Sequence, residues 1–453
     1  MDRISELPQH ILQHILSFLS QREAIQTCVL SKSWRYLGST RPNFEFRERY
    51  FNADKQTFLS VMDKILHRYH DQKISVQKFL VEMSMVDFES ISFLEKWIPL
   101  VVLNMGVNTF SLSFPSHYSA QFALPTVVYK AEFLKELNLE GCKLSQINPL
   151  VEDDPSIEID APTLESISIM GCTNWFHHHK NFPYLKCLHL DNVRLSTKSF
   201  GSFSFDYPCL EELDLLFCHG FEEFRLLSRS IKHLTIAVDR SIKAAIDVTN
   251  ILHFKIISNN VLPSISFTTT SSEWKSHIHL LNRSNIYIDA SSWFLKLNEL
   301  LKALSHSEVS LHIEDHPRVV PDTYGGFDKP VVVENLSLGG HSSSSLPTFL
   351  NCLFRICRPR KIGEHLYPDE EMEWEREDEQ LAEFLCKNLL MEREMRRYFW
   401  QQDLEEVSME AFDKNGKKWH PVQGTSLSEC ALPNNQLKQN IRFRLKWRDL
   451  AFT

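Results

Sequence analysis

In the opening stretch LPQHILQHILSFL, apolar residues return every three or four positions. Leu7, Ile11, Leu12, Ile15, Leu16 and Leu19 lie along one wide helical face. Pro8 suits the first turn of such a helix, where a missing N–H costs nothing. Ser20 stands three residues before Glu23, a capping-box spacing that predicts a second short helix through about Cys28. Ser31 is placed to cap a third that carries Trp34 and Leu37, with Trp34 packing the three helices together. So small a unit buries little surface by itself, and its apolar stripe calls for a partner.

Further along, one phrase recurs: VNTFSL, LKELNL, LESISI, LKCLHL, LEELDL, IKHLTI and ILHFKI. Apolar residues fall at its first, fourth and sixth places, so the last two obey the alternation of a strand. The fourth places are Phe110, Leu137, Ile167, Leu188, Leu213, Leu234 and Phe254, separated by roughly 20 to 30 residues, the spacing of leucine-rich repeats. Further copies are VQKFLVEM (76–83), VSLHI (309–313) and ENLSLGG (334–340). Two helices are expected near the start, one with Phe58, Val61, Met62, Ile65, Leu66 and Tyr69 on a face, the other with Phe88, Ile91, Leu94 and Ile98. A strand unable to bury its face alone stacks on the next, which predicts an α/β solenoid with a curved parallel sheet. Its polar strand positions Glu136, Asn138, Glu165, Lys186, His189, Glu212 and Asp214 are candidates to face a macromolecular partner, though none is assigned as a site.

After Gly363 the chain turns acidic, in YPDEEMEWEREDEQ, as a solvated loop would. Leu381, Phe384, Leu385 and Leu389 then mark a helix ending near Arg397. DLEEVSMEAFDKNGKKWHPV reads as strand, Asn415-Gly416 turn and strand, since Asn-Gly supplies the positive φ values of a tight hairpin. NIRFRLKW (440–447) alternates and adds a third strand. The resulting division is 1–45 for the helical unit, 46–345 for the repeats and 346–453 for the acidic loop, helix and antiparallel strands.

Composition narrows the function. Across 453 residues the chain is 43% hydrophobic and 24% charged, with a formal net charge of −9. That balance argues against nucleic acid as a partner, because phosphate binding relies on Lys and Arg displacing counterions. The one dense basic cluster, Arg358, Arg360 and Lys361, is too short to reverse it. The ten cysteines stand singly, without a CxxC pair, and read as reduced core thiols. Residues 97–129 carry no Asp, Glu, Lys or Arg, yet Pro99, Pro115 and Pro125 interrupt them, so buried structure is expected there and no membrane span. MDRISELPQH lacks the apolar core of an export signal, which leaves the cytoplasm, the nucleus or both as the expected location.

Bond-making chemistry finds little support. No cysteine sits in a nucleophile setting. His177, His178 and His179, near Cys172, are the best metal candidate, but adjacent histidines cannot all point one way and the other half of a zinc site is missing. YGGFDKP (324–330) lacks the GK[ST] that holds phosphate. Catalytic, cofactor and metal residues are accordingly expected to be none, and no cofactor is called for.

The order LPQHILQHILSFLSQREAIQTCVLSKSWRYL, with its Leu-Pro opening, Ile-Leu pairs, SFL and LSKSWR at their spacings, resembles the F-box of plant F-box/leucine-rich-repeat proteins. LEGCKL (139–144), FPYLKCLHLDNVRL (182–195) and LPSISFTTTSSEWKS (262–276) are similar to repeat segments of that family, and the C-terminal part resembles its FBD-like segment. The resemblance implies a non-catalytic substrate-recognition adaptor of a Skp-cullin-F-box ubiquitin ligase. On that reading Leu7, Pro8, Ile11, Leu12, Ile15, Leu16 and Leu30 contact a Skp-type linker, and through it cullin and RING subunits. His10 and His14 lie on the other face. The repeats hold an unknown target protein for ubiquitination and proteasomal degradation. The alternative is a non-degradative repeat scaffold or ligand-binding protein.

Overall fold

The computed structural model describes the chain except for residues 1–6, 20, 28, 30–31, 40, 52–54, 85, 116–121, 145–160, 173–181, 196–206, 260, 282–289, 315–328, 340–345, 364–384, 386–388, 390–398, 414–417, 423–440 and 449–453. It divides into two units, residues 1–221 with 227–231, and residues 222–226 with 232–453.

The first unit opens with three helices, α1 (Gln9–Phe18), α2 (Gln21–Thr27) and α3 (Lys32–Ser39). Strand β1 (Asn43–Arg47), helix α4 (Lys55–Asp71), strand β2 (Lys78–Glu82), helix α5 (Phe88–Asn104) and strands β3 (Thr109–Ser113), β4 (Glu136–Glu140), β5 (Ser166–Met170), β6 (Cys187–Asp191) and β7 (Glu212–Leu216) follow. All seven strands run parallel in chain order. The register aligns Phe44, Phe79, Phe110, Leu137, Ile167, Leu188 and Leu213 across the ladder. Each of these is buried, as the fourth place of the repeated phrase requires. The first three rings stack in turn, with centroids 5.3 and 5.5 Å apart, contacts that add about 0.5–1.5 kcal/mol per pair to the burial itself.

The phrase repeats at the level of hydrogen bonds too. The N–H groups of Leu134, Leu164, Leu185 and Leu210 donate to the carbonyls three residues earlier, closing a turn before each strand. One carbonyl of the preceding repeat then receives two N–H groups: Asn108 from Lys135 and Glu136, Lys135 from Glu165 and Ser166, Glu165 from Lys186 and Cys187, and Lys186 from Glu211 and Glu212. Directly after β4, β5, β6 and β7 the backbone turns left-handed, at Gly141 (φ 66°), Gly171 (φ 57°), Asn192 (φ 49°) and Phe217 (φ 49°). The next residue, Cys142, Cys172, Val193 or Cys218, drops into the core.

One expectation about this unit needs correction, and one strand comes in addition. Phe88 is 83% exposed, because α5 buries the stripe of Ser90, Phe93, Leu94, Trp97, Ile98, Val101 and Val102. Trp97 donates its indole N–H to Asp63 of α4 at 2.8 Å, which fixes that rotation. Residues 43–47 form a strand that the repeated phrase did not announce.

In the second unit the parallel order is β9 (His233–Val238), β11 (His253–Asn259), β13 (Lys275–Leu281), β14 (Glu308–Glu314), β15 (Val331–Gly339) and β16 (Cys357–Gly363). Leu234 and Phe254 stand in register and are buried. In place of helices at the start, a second sheet forms from β10 (Lys243–Val248), β12 (Ser264–Thr268) and β8 (Glu223–Ser228), of which residues 223–226 belong to this unit. Phe267 of that sheet bridges Phe254 and Trp274, at 5.0 and 4.7 Å between ring centroids. Helices α6 (Ala290–Ala303) and α7 (Leu346–Ile356) precede β14 and β16.

The C-terminal part has the antiparallel strands expected of it, while the helix expected to end near Arg397 lies largely outside the described residues. A short α8 (Phe399–Gln402) leads into β17 (Leu404–Asp413), which pairs with β18 (Lys418–Val422) and with β19 (Ile441–Trp447). β19 joins β16 antiparallel and so ends the parallel run. Leu385 and Leu389 are buried; Leu381, Phe384, Arg397 and the Asn415-Gly416 turn lie outside the described residues. The basic cluster is neutralised within the unit. Arg358 pairs with Asp403 and lies 4.5 Å from the centre of the Trp447 ring, while Arg360 and Lys361 both reach Glu334.

Seven described cysteines are free thiols, of which Cys142, Cys172, Cys218, Cys352 and Cys357 are buried. Cys187 is half-buried and Cys209 exposed, so the reading of all cysteines as core thiols is corrected at these two. No helix among the described residues is long and apolar enough to cross a membrane.

A Cβ at Gly141 would lie 2.2 Å from the Phe114 carbonyl oxygen, whereas one at Gly171 would meet nothing within 4 Å. Gly171→Ala therefore costs only the left-handed backbone penalty, about 1–2 kcal/mol, and Gly141→Ala costs clearly more. Urea unfolding of the two variants gives this order.

Candidate partner-binding surface

Helix α1 begins where Pro8, extended at φ −54° and ψ 145°, offers its carbonyl to the N–H groups of Ile11 and Leu12. From there the stripe divides. Leu12 and Leu16 are buried at 2% and 0% exposure, in one cluster with Ala24, Trp34 and Leu37, while Ile15 and Leu19 pack half-buried against its edge. Trp34 thus draws on all three helices, as expected of it. Leu7, Pro8 and Ile11 stay exposed, with Leu7 at 38% and Ile11 at 37%. Leu30 and the side chain of His10 lie outside the described residues.

Beyond the assigned residues, the helices leave Phe18, Val29 and Tyr36 strongly exposed. His14 is exposed as well and packs the edge of its ring on Phe18, centroids 4.8 Å apart. Ile11, His14 and Phe18 follow at i, i+3 and i+7, so they share the outward face that Leu12 and Leu16 leave. Helical spacing marks the band but not which half of it turns inward.

The module is moored to the repeats of the same unit through Arg41. Its guanidinium donates to the Leu19 carbonyl, and its own carbonyl accepts the Tyr69 hydroxyl of α4 at 2.8 Å. Burial lowers the Arg41 pKa and pushes that of Tyr69 up to about 12. Both effects mark a contact largely removed from water.

Along the ladder of the first unit, the polar positions Glu136, Asn138, Glu165, Lys186, His189, Glu212 and Asp214 are all solvent-accessible. Several of them are also engaged in contacts. Glu165 accepts from Lys135 and Lys186 at 3.0 Å each, and those hydrogen bonds lower its pKa. His189 Nδ1 stands 3.1 Å from Asp214, whose hydrogen bond raises the imidazole pKa against the opposing effect of burial. His177, His178 and His179 lie outside the described residues.

A self-sealed three-helix module with an uncovered apolar flank, leading into parallel repeat strands, is the arrangement of an F-box protein. The comparisons agree: residues 4–46 match the family model described as F-box domain. The chain is similar to the F-box/LRR-repeat protein At3g59200 of Arabidopsis thaliana, 31% identical over 243 residues that cover 51% of this chain and 40% of that protein. It is likewise similar to the F-box/LRR-repeat protein At4g14096 of the same plant, 30% identical over 226 residues covering 47% of this chain and 44% of the relative. The F-box protein At3g59000, also of Arabidopsis thaliana, is 28% identical over 253 residues, 53% of this chain and 45% of its own length. Each matched stretch is far longer than the F-box, so the similarity extends beyond it, yet it spans less than half of each relative. The plant F-box/LRR resemblance read from the sequence is thereby shown.

Because its folded pKa is raised, the protonated His189 contributes stability fully below about pH 6.5, its ordinary value. That contribution is lost as pH rises through the folded pKa. Asp214→Asn is expected to bring the His189 midpoint down toward the ordinary value, as followed by the imidazole proton shifts in an NMR titration.

Proposed function

We propose that the protein is the substrate-recognition subunit of a Skp-cullin-F-box ubiquitin ligase. The observation that carries this is the exposed apolar flank of a module whose other half already has its core. F-box domains as a class bind Skp-type linkers, and Leu7, Pro8, Ile11, Ile15 and Leu30 supply such a contact directly. Leu12 and Leu16 support it from beneath by holding α1 against Trp34. Fully burying a large apolar side chain gains about 1.5–3 kcal/mol, and association costs about 4–15 kcal/mol in lost freedom. Several such residues must therefore be covered together, and the exposed Phe18, on the same helical face as Ile11, adds to them.

The linker connects the chain to cullin and RING subunits, and the accessible strand positions of the repeats hold the target protein. The mechanism is positional. Fixing the target near a ubiquitin-charged conjugating enzyme raises the effective concentration of its lysines, while this chain makes and breaks no bonds. Such a role places it in the cytoplasm or nucleus, and its outcome is ubiquitination and proteasomal degradation of the target.

Leu7→Glu combined with Ile11→Glu changes only exposed residues. The pair is expected to weaken binding to a plant Skp-type linker more than tenfold, equivalent to over about 1.4 kcal/mol, while thermal unfolding stays as in the unaltered chain. Leu16→Ala is expected to act through folding instead, costing about 2–5 kcal/mol. Surface-plasmon binding and calorimetry separate the two. Linker binding untouched by the double substitution would overturn the proposal.

A further inference from the structure

On the accessible face of the second unit's parallel ladder, three ligating side chains converge. His279 of β13 stands in register with His312 of β14, and Glu314 lies two residues further along β14. Strand geometry puts all three on one face, with Glu314 diagonal to His279 and within reach of its ring. The Nε2 atoms of His279 and His312 lie 3.4 and 3.3 Å from the same oxygen, Glu314 Oε1. The possible ligand atoms of the three residues all fall within 4.8 Å of one another.

These distances are long for charge-assisted hydrogen bonds, which measure about 2.7–2.9 Å. They match the ligand-to-ligand edge of a tetrahedron around Zn2+, about 3.3 Å when each bond is about 2.0–2.1 Å. Nε2 of His279 is buried and makes no hydrogen bond. The Glu314 carboxylate 3.4 Å away is too distant to make a good hydrogen bond to it, and a metal between the two would satisfy both. Room is present as well. The β15 residues in register with His312 and Glu314 are Ser337 and Gly339, and neither carries a bulky side chain. His312 is buried while His279 and Glu314 are half-buried, so the cluster is rooted in the sheet and open on one side.

We propose that His279, His312 and Glu314 bind one divalent transition-metal ion, with Zn2+ the ion best suited to two imidazoles and a carboxylate. Three protein ligands leave the fourth tetrahedral position to water or to a donor atom from a partner. The ion ties β13 to β14 at one end of a face where Lys275 of β13 already pairs with Glu308 of β14. This site does not depend on the adaptor reading, and it is distinct from His177, His178 and His179, which the sequence put forward.

The test uses the full chain, stripped with a chelator and titrated with Zn2+ by calorimetry, and with Co2+ followed by visible absorption. One equivalent of Zn2+ is expected to bind, and Co2+ to give the intense bands of four-coordination. His279→Asn and Glu314→Gln, both confirmed folded by circular dichroism, are each expected to weaken binding by at least roughly 10–100-fold, the loss that even outer partners of a metal site cause. His277→Ala, on the same strand face, is expected to leave it unchanged. A weak six-coordinate Co2+ spectrum from the unaltered chain overturns the proposal without recourse to any variant. Zn2+ binding that survives both substitutions, or that falls equally with His277→Ala, overturns it too.

Discussion

A parallel strand buries one face only if its neighbour brings an apolar residue to the same depth, and this constraint organises both units. In the first, the line from Phe44 through Phe110 to Leu213 satisfies it across seven strands. A slip of one residue would turn that whole line outward. The register is held at both ends of each repeat. Before the strand, a shared carbonyl takes two N–H groups from the next repeat. After it, a left-handed residue at position 141, 171, 192 or 217 redirects the chain so that the following side chain enters the core. Bulky residues rarely accept such a conformation, so Phe217 holds it against its own preference, and the packing of Cys218 and Leu215 must outweigh that cost.

The F-box obeys a different economy. Its helices are too short to bury an apolar band on every side, and the stripe of α1 is shared between two uses. Leu12 and Leu16 close on Trp34 and Leu37, which makes the module a body with a defined shape. Leu7, Ile11 and Phe18 are left over. The docking surface proposed for it needs both, since exposed side chains on an unanchored helix would lose ordering entropy at every association. The Arg41 and Tyr69 contacts extend the same rigidity into the repeats of that unit.

What the sequence disclosed follows from this physics. The fourth-place residues were legible because they recur, and recurrence survives variation in the length of the returns between strands. Trp34 and the C-terminal antiparallel strands were legible from local pattern. The strand at Asn43–Arg47 was not, since two phenylalanines among charged neighbours make too short an alternation to stand out. Nor was the second sheet: KAAIDV carries no repeat of the phrase, and only the packing of Phe267 against Phe254 and Trp274 ties SISFT to the ladder. The site was half legible. Helical spacing found the stripe of α1 but could not say which leucines turn inward, a choice made by α2 and α3. Likewise His279 and His312 stand far apart in the chain, and only the pairing of β13 with β14 brings them together.

The alternation that fixes the core also leaves every second strand residue outside it, and those residues have formed contacts of their own. Glu165 sits between Lys135 and Lys186, His189 faces Asp214, and Ser113 donates to Glu140. Exposed pairs of this kind contribute little to stability, in the range of about 0–1 kcal/mol. For the target binding proposed here they would matter more, because a partner that inserts a charge must replace an arrangement already satisfied and offer equivalent hydrogen bonds in return. A target that did so at several adjacent strands would gain from each, whereas one matching a single position would gain almost nothing. Under the proposed role, selectivity would thus come from the periodic placement of polar side chains about one strand spacing apart, which is the same regularity that holds the core in register.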